Sequence, residues 1–94
     1  MTSVQALFNV STTSSKTPQE VLAEVNRTCE KFGYSVMEKG YIVKARSSNG
    51  KVAINIEVCQ LETLDLRGVR FKRVKGDTWI YKEVRLAMSG RIRA

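Results

Sequence analysis

The sequence contains no histidine, two cysteines and a single proline. Without histidine the commonest general base and the commonest metal-ligating nitrogen are both missing. Cys29 and Cys59 are far apart and form no Cys-x-x-Cys pair, so neither a zinc site nor a redox dithiol is expected. No glycine-rich phosphate loop is present. The carboxylates nearest to one another in sequence, Glu62 and Asp65, lie in a polar connector and read as solvated loop residues rather than an acid/base pair. The chain is therefore expected to be non-enzymatic, with no cofactor and no metal.

Long apolar runs are absent as well. Nothing approaches the roughly 18 apolar residues a spanning helix needs, so any membrane association would be peripheral. No secretory signal is read at the start, and the expectation is two free, buried thiols in an intracellular compartment. Acidic residues are scarce in one place only. Residues 67–94 hold nine Lys and Arg against Asp77 and Glu83, whereas residues 1–66 hold seven of each sign. The entire formal charge of +7 thus falls in the last third of the chain. Such a concentration points to a nucleic acid, an anionic membrane surface or an acidic protein as partner, against the alternative of a merely solvating face.

What is present is a globular composition. A chain of 94 residues with 43% hydrophobic residues and no low-complexity run suits one domain, residues 1–94, with 1–3 read as a start remnant. Residues 4–10 suit a short strand, and 11–16 a polar loop. Thr17, Pro18 and Glu20 form a helix start, after which Val21, Leu22, Val25, Cys29 and Phe32 make one apolar stripe that Gly33 ends. Residues 34–38 and 41–47 flank Lys39-Gly40, and Asn49-Gly50 marks a tight hairpin turn.

Residues 51–60 alternate Val52, Ile54, Ile56 and Val58 with smaller or polar residues, the pattern of a strand with one apolar face. After a connector over 61–66, residues 68–75 read as a last strand, with Val69 and Phe71 on one side and Arg70 and Lys72 on the other. Gly76-Asp77 breaks and caps a second helix, 78–92, with Ile80, Val84, Ala87, Met88 and Ile92 on its apolar face and fraying expected beyond Ser89 because of Gly90. The connections are too short for parallel crossovers. An α+β fold follows: a four- to five-stranded antiparallel sheet with two helices on one face, in the order strand, helix, strands, helix.

The basic run 67–75 then stands out. Arg70 and Lys72 share a face, and Lys75 and Lys82 can gather at the strand-to-helix turn, a compact cationic patch for an anionic bilayer. The same charges attract RNA, but the aromatics Phe8, Phe32, Tyr34, Tyr41, Phe71, Trp79 and Tyr81 fall mostly on apolar or element-end positions, so a base-stacking platform is disfavoured. For Trp79 packing is favoured over an interfacial membrane contact.

The segment Val58-Cys59-Gln60-Leu61, then Gly68-Val69-Arg70-Phe71-Lys72-Arg73-Val74-Lys75-Gly76-Asp77 and Trp79-Ile80-Tyr81-Lys82, resembles the kinase-associated domain 1. That domain ends the microtubule-affinity-regulating kinases, the maternal embryonic leucine-zipper kinase and their fungal relatives. The polar stretch 11–15 and Pro18 also resemble its start. The resemblance implies the same α+β fold. It also implies a regulatory domain of a serine/threonine kinase, binding anionic phospholipids such as phosphatidylserine. Membrane recruitment would then be cytoplasmic and peripheral at the plasma membrane. The alternative it implies is autoinhibition, through contact with the kinase domain of the same protein; non-specific RNA binding ranks behind both.

By position the lipid-binding residues fall on Arg70, Lys72 and Arg73, joined by Lys75, Lys82 and Arg27. Ala23 and Asn26 stand where well-studied members carry basic side chains in the first helix, a gap that Arg27 and Lys31 fill in part.

Overall fold

Branched side chains at every second position favour extended backbone and give a strand one apolar face, while a stripe at three- and four-residue spacing does the same for a helix. Both patterns are realised. The computed structural model describes residues 1–4, 10–61 and 64–93. Along the chain run β1 (Thr2–Val4), β2 (Thr12–Ser14), α1 (Pro18–Lys31), β3 (Ser35–Lys39), β4 (Ile42–Arg46), β5 (Ala53–Leu61), β6 (Leu66–Lys75) and α2 (Thr78–Arg93). Five strands form an antiparallel path in the order β2-β6-β5-β4-β3, and β1 adds a parallel pairing with the end of β5.

One core joins the helices to one face of the sheet. Val21, Val25 and Cys29 of α1 and Val84, Met88 and Ile92 of α2 cluster with Val43, Ile54, Ile56, Val58 and Val69. Each of these larger side chains, fully buried, contributes about 1.5 to 3 kcal/mol relative to exposure. The α+β reading with two helices on one face is what the structure shows.

Several local expectations differ. The strand expected over 4–10 lies mostly outside the described residues, which omit 5–9; Thr2–Val4 forms β1, so Thr2 and Ser3, read as part of a start remnant, belong to the sheet. β4 covers one edge of β5 only as far as Glu57, which leaves Cys59 to Leu61 for β1 to pair, and this is the parallel contact that short connections did not suggest. The polar loop over 11–16 contains β2, with Thr12 opposite Val69 and Thr12 and Ser14 buried. The backbone of β6 needs a partner along its outer edge, and small hydroxyl residues meet that need without an apolar signature. Within the 61–66 connector, residues 62–63 are outside the described residues, as is Phe8.

The third difference is the Asn49-Gly50 hairpin. A two-residue turn of the expected kind needs positive φ at both positions, and only Gly50 has it, at +71°. The loop is longer, closed by Ser47 N donating to Val52 O, with Asn49 Oδ1 accepting from Lys51 N and Ser47 Oγ.

Both helices start on the predicted signals, and α1 also stops on its own. Thr17 Oγ1 accepts from Glu20 N, and Gly33 N and Tyr34 N donate to Glu30 O and Cys29 O to close the end of α1. Asp77 Oδ1 accepts from Trp79 N at the start of α2. That helix continues past Gly90 to Arg93, because buried Ile92 and a hydrogen bond from Lys16 Nζ to Arg91 O hold its last turn. Ile80, expected in the core face, is instead exposed.

Candidate functional site

The basic residues of β6 divide by what the backbone register gives them. Arg67 is structural: its Nε donates to Lys16 O, and its Nη1 to Gln60 Oε1 and Asp65 Oδ1, tying the loop before α1 to the sheet. Arg70 stands opposite Glu57, with its Nε 3.6 Å from Glu57 Oε1 and donating to Cys59 Sγ at 3.3 Å. The hydrogen bond to Cys59 raises the Arg70 guanidinium further, so it stays charged. Lys72 is exposed opposite Asn55.

Arg73 turns to the helix side of the strand, where Nη1 donates to Gly76 O and Thr78 Oγ1 at the head of α2. A β-bulge between Ala53 and Ile54 then shifts the register and brings Lys75 opposite Ala53. Arg27 sits on α1 in an ion pair with Glu24, on the layer opposite the uncovered face of the sheet. The six basic residues expected to act together are therefore distributed. Arg70 and Lys72 do share one face; Arg73 and Lys82 belong to the β6–α2 corner, with Lys75 between.

That corner carries an apolar element the sequence reading assigned to packing. Trp79 is 75% exposed, and Lys82 Nζ lies 5.5 Å from its ring centroid. Two turns along the same helix, Leu86 is 69% exposed. A large indole in water with a lysine against its ring is a surface feature and not a core contact.

The uncovered face of the sheet is the second feature, and composition did not reveal it. Cross-strand register places Ser35, Arg46, Ala53 and Lys75 in one row, and Met37, Lys44, Asn55 and Lys72 in the next. Lys39, Ile42, Glu57 and Arg70 make the third. Lys39, Lys44 and Arg46 come from the electrically neutral part of the chain. Its glutamates Glu20, Glu24 and Glu30 lie on or at the start of α1, on the other side of the sheet. The alternation of Val43 and Ala45 with Lys44 and Arg46 was the available signal; only the register joins it to β6. Between the first two rows a groove of about 530 Å³ opens, floored by Ala53, Asn55 and Val74.

Cys29 and Cys59 are free and buried. Burial, with Glu30 beside it, pushes the Cys29 thiol from 9.0 up to about 11. Burial also raises Cys59, against the opposing pull of Arg70. Among the described residues no three His, Cys, Asp or Glu side chains gather where they could hold a metal ion, and no helix is long and apolar enough to cross a membrane. Asp65 is exposed and bonded to Arg67, while Glu62 lies outside the described residues.

Residues 51–89, which include all of β5 and β6 and most of α2, match the kinase-associated domain 1 family. The chain is 35% identical over 81 residues to the "Probable serine/threonine-protein kinase MARK-C" of Dictyostelium discoideum, covering 85% of this chain and 10% of that protein. It is 34% identical over 85 residues to the maternal embryonic leucine zipper kinase of Xenopus laevis, covering 86% and 13%. To the kinase of that name from Danio rerio it is 31% identical over 85 residues, with the same coverage. The chain thus spans about a tenth of the length of the curated relatives it matches. With the matched strands and helix forming the sheet and corner described above, the chain belongs to the kinase-associated domain 1 family, a small non-catalytic domain of kinases.

Proposed function

We propose that this regulatory domain recruits a serine/threonine kinase to anionic phospholipid at the cytoplasmic side of the plasma membrane, and that the β6–α2 corner makes the contact. The observation that carries this reading is Trp79, 75% exposed with Lys82 against its ring. Arg73 and Lys75 flank the same turn. Each cation near an anionic surface contributes about 1 kcal/mol, decaying over a Debye length of about 8 Å. Trp79 and Leu86 supply the apolar part that lets the contact outlast screening by salt. Arg70, already held by Glu57 and Cys59, adds charge at longer range, and Arg27 on α1 does the same.

Co-sedimentation with vesicles tests this. Binding to phosphatidylserine-containing vesicles should exceed binding to phosphatidylcholine alone and weaken with salt, and the emission of the single tryptophan should shift to the blue. Charge reversal of Arg73 and Lys82 should cut binding by about tenfold or more, as expected from two such contacts. Equal binding to neutral and anionic vesicles at low salt would sink the proposal.

A second reading has support in the relatives, which are kinases matched over only about a tenth of their length. In it, the domain restrains the kinase domain of its own protein. Adding the 94-residue chain in trans to that catalytic domain should lower its rate; an unchanged rate counts against it.

A further inference from the structure

The uncovered face of the sheet carries a groove that the membrane reading leaves unused. Its groove, about 530 Å³, is recessed between rows of side chains from four strands. Its apolar lining includes Ala53, Val74, exposed to 55%, and Met37, exposed to 66%. Val74 reaches it because the bulge in β6 leaves this residue outside the regular pairing.

The rim is cationic. Lys44 and Arg46 line the groove directly, Lys72 stands opposite Asn55 on its floor, and Lys75 stands opposite Ala53. Among the described residues the register puts one acidic side chain on this face, Glu57, and it lies 3.6 Å from Arg70 in the row beyond. An apolar patch set among cations selects for a ligand of opposite sign that carries an apolar side chain.

We infer that this groove is a docking site for a short acidic segment of a protein chain that inserts one aliphatic or aromatic side chain against Ala53 and Val74. A polypeptide is favoured over a bilayer by shape. A bilayer is broad and flat and meets protruding groups, as Trp79 and Leu86 are; a single side chain on a chain segment can enter a recess. The two surfaces meet at Lys75 and otherwise differ, the groove lying over β3 to β6 and the membrane corner on the outer side of α2. The domain would then hold a protein partner while its corner remains available.

The probe is an array of eight-residue peptides, each with glutamates flanking a central position varied among Leu, Ile, Met, Phe and Gly. Fluorescence anisotropy with the 94-residue chain reads affinity. At least one apolar-centred peptide should bind about tenfold tighter than the Gly-centred one, and Val74→Glu should remove that difference. Lys44→Glu should weaken every glutamate peptide, whereas Lys82→Glu should leave them within about twofold. Val74 and Lys44 are exposed, so both variants should keep the circular dichroism of the parent.

Equal affinity for all central residues, or for parent and Val74→Glu, overturns the docking site. So does an effect of Lys82→Glu as large as that of Lys44→Glu, which would mean diffuse attraction. A loss of phosphatidylserine-vesicle binding in Val74→Glu with peptide binding unchanged would assign the groove to lipid instead.

Discussion

Cys29 has no accessible surface and sits in the core shared by the helices and the sheet. Its thiol stays neutral in the folded chain until about pH 11, while the same thiol in the unfolded chain ionises near 9.0. Below pH 9 both states are neutral and the group has no effect on stability. Above it the unfolded state loses a proton that the folded state keeps, so stability falls as pH rises from about 9 to about 11. Urea denaturation across that range should show the decline, flattened in Cys29→Ala relative to its own value at pH 8. Tyr34, raised by burial and by the Cys29 charge, drifts in the same direction. At this scale the sequence named the right residue types without their surroundings. Arg67 and Lys72 look alike in the basic run, yet one is bonded to three segments of the chain and the other is exposed.

At the scale of elements, the capping and turn residues were legible because they act through neighbours in sequence. Thr17, Gly33 and Asp77 bound the helices where the pattern predicts. The two ends of α2 show where local signals stop. Gly76 has φ +116°, and a Cβ there would lie 2.8 Å from Lys51 O. Gly90 sits in helical backbone with nothing within 4 Å of such an atom. Gly76→Ala should therefore destabilise the domain by about 1 to 3 kcal/mol. Gly90→Ala should stabilise it by about 0.5 to 1 kcal/mol. Thermal denaturation of both variants checks the opposite signs. Fraying beyond Ser89 was a fair reading of Gly90 alone, and it failed because Ile92 and Lys16 act on that turn from outside it.

At the scale of the whole molecule, the charge count and the charge surface part company. Chain position puts the net charge in residues 67–94, but the sheet sorts charges by face. It gathers Lys39, Lys44 and Arg46 with Lys72 and Lys75 and leaves the α1 glutamates behind. If position rather than net charge governs membrane contact, two double variants with the same change in net charge should behave differently. Arg73→Glu with Lys82→Glu should cut phosphatidylserine-vesicle binding by about tenfold or more. Lys44→Glu with Arg46→Glu should retain most of it, as co-sedimentation will read.

The sequence by itself determined the fold class, both helices, the central strand and the alternation that puts Arg70 and Lys72 on one face, since each depends on periodicity or on adjacent residues. The parallel β1 contact, β2 within a polar stretch, the groove beside Val74 and the exposure of Trp79 were decided only by the tertiary structure. The first three depend on which strand lies beside which and in what register, and hydrogen bonds between distant backbones leave no periodic trace in the side chains that make them; the fourth depends on how α2 is seated on the sheet.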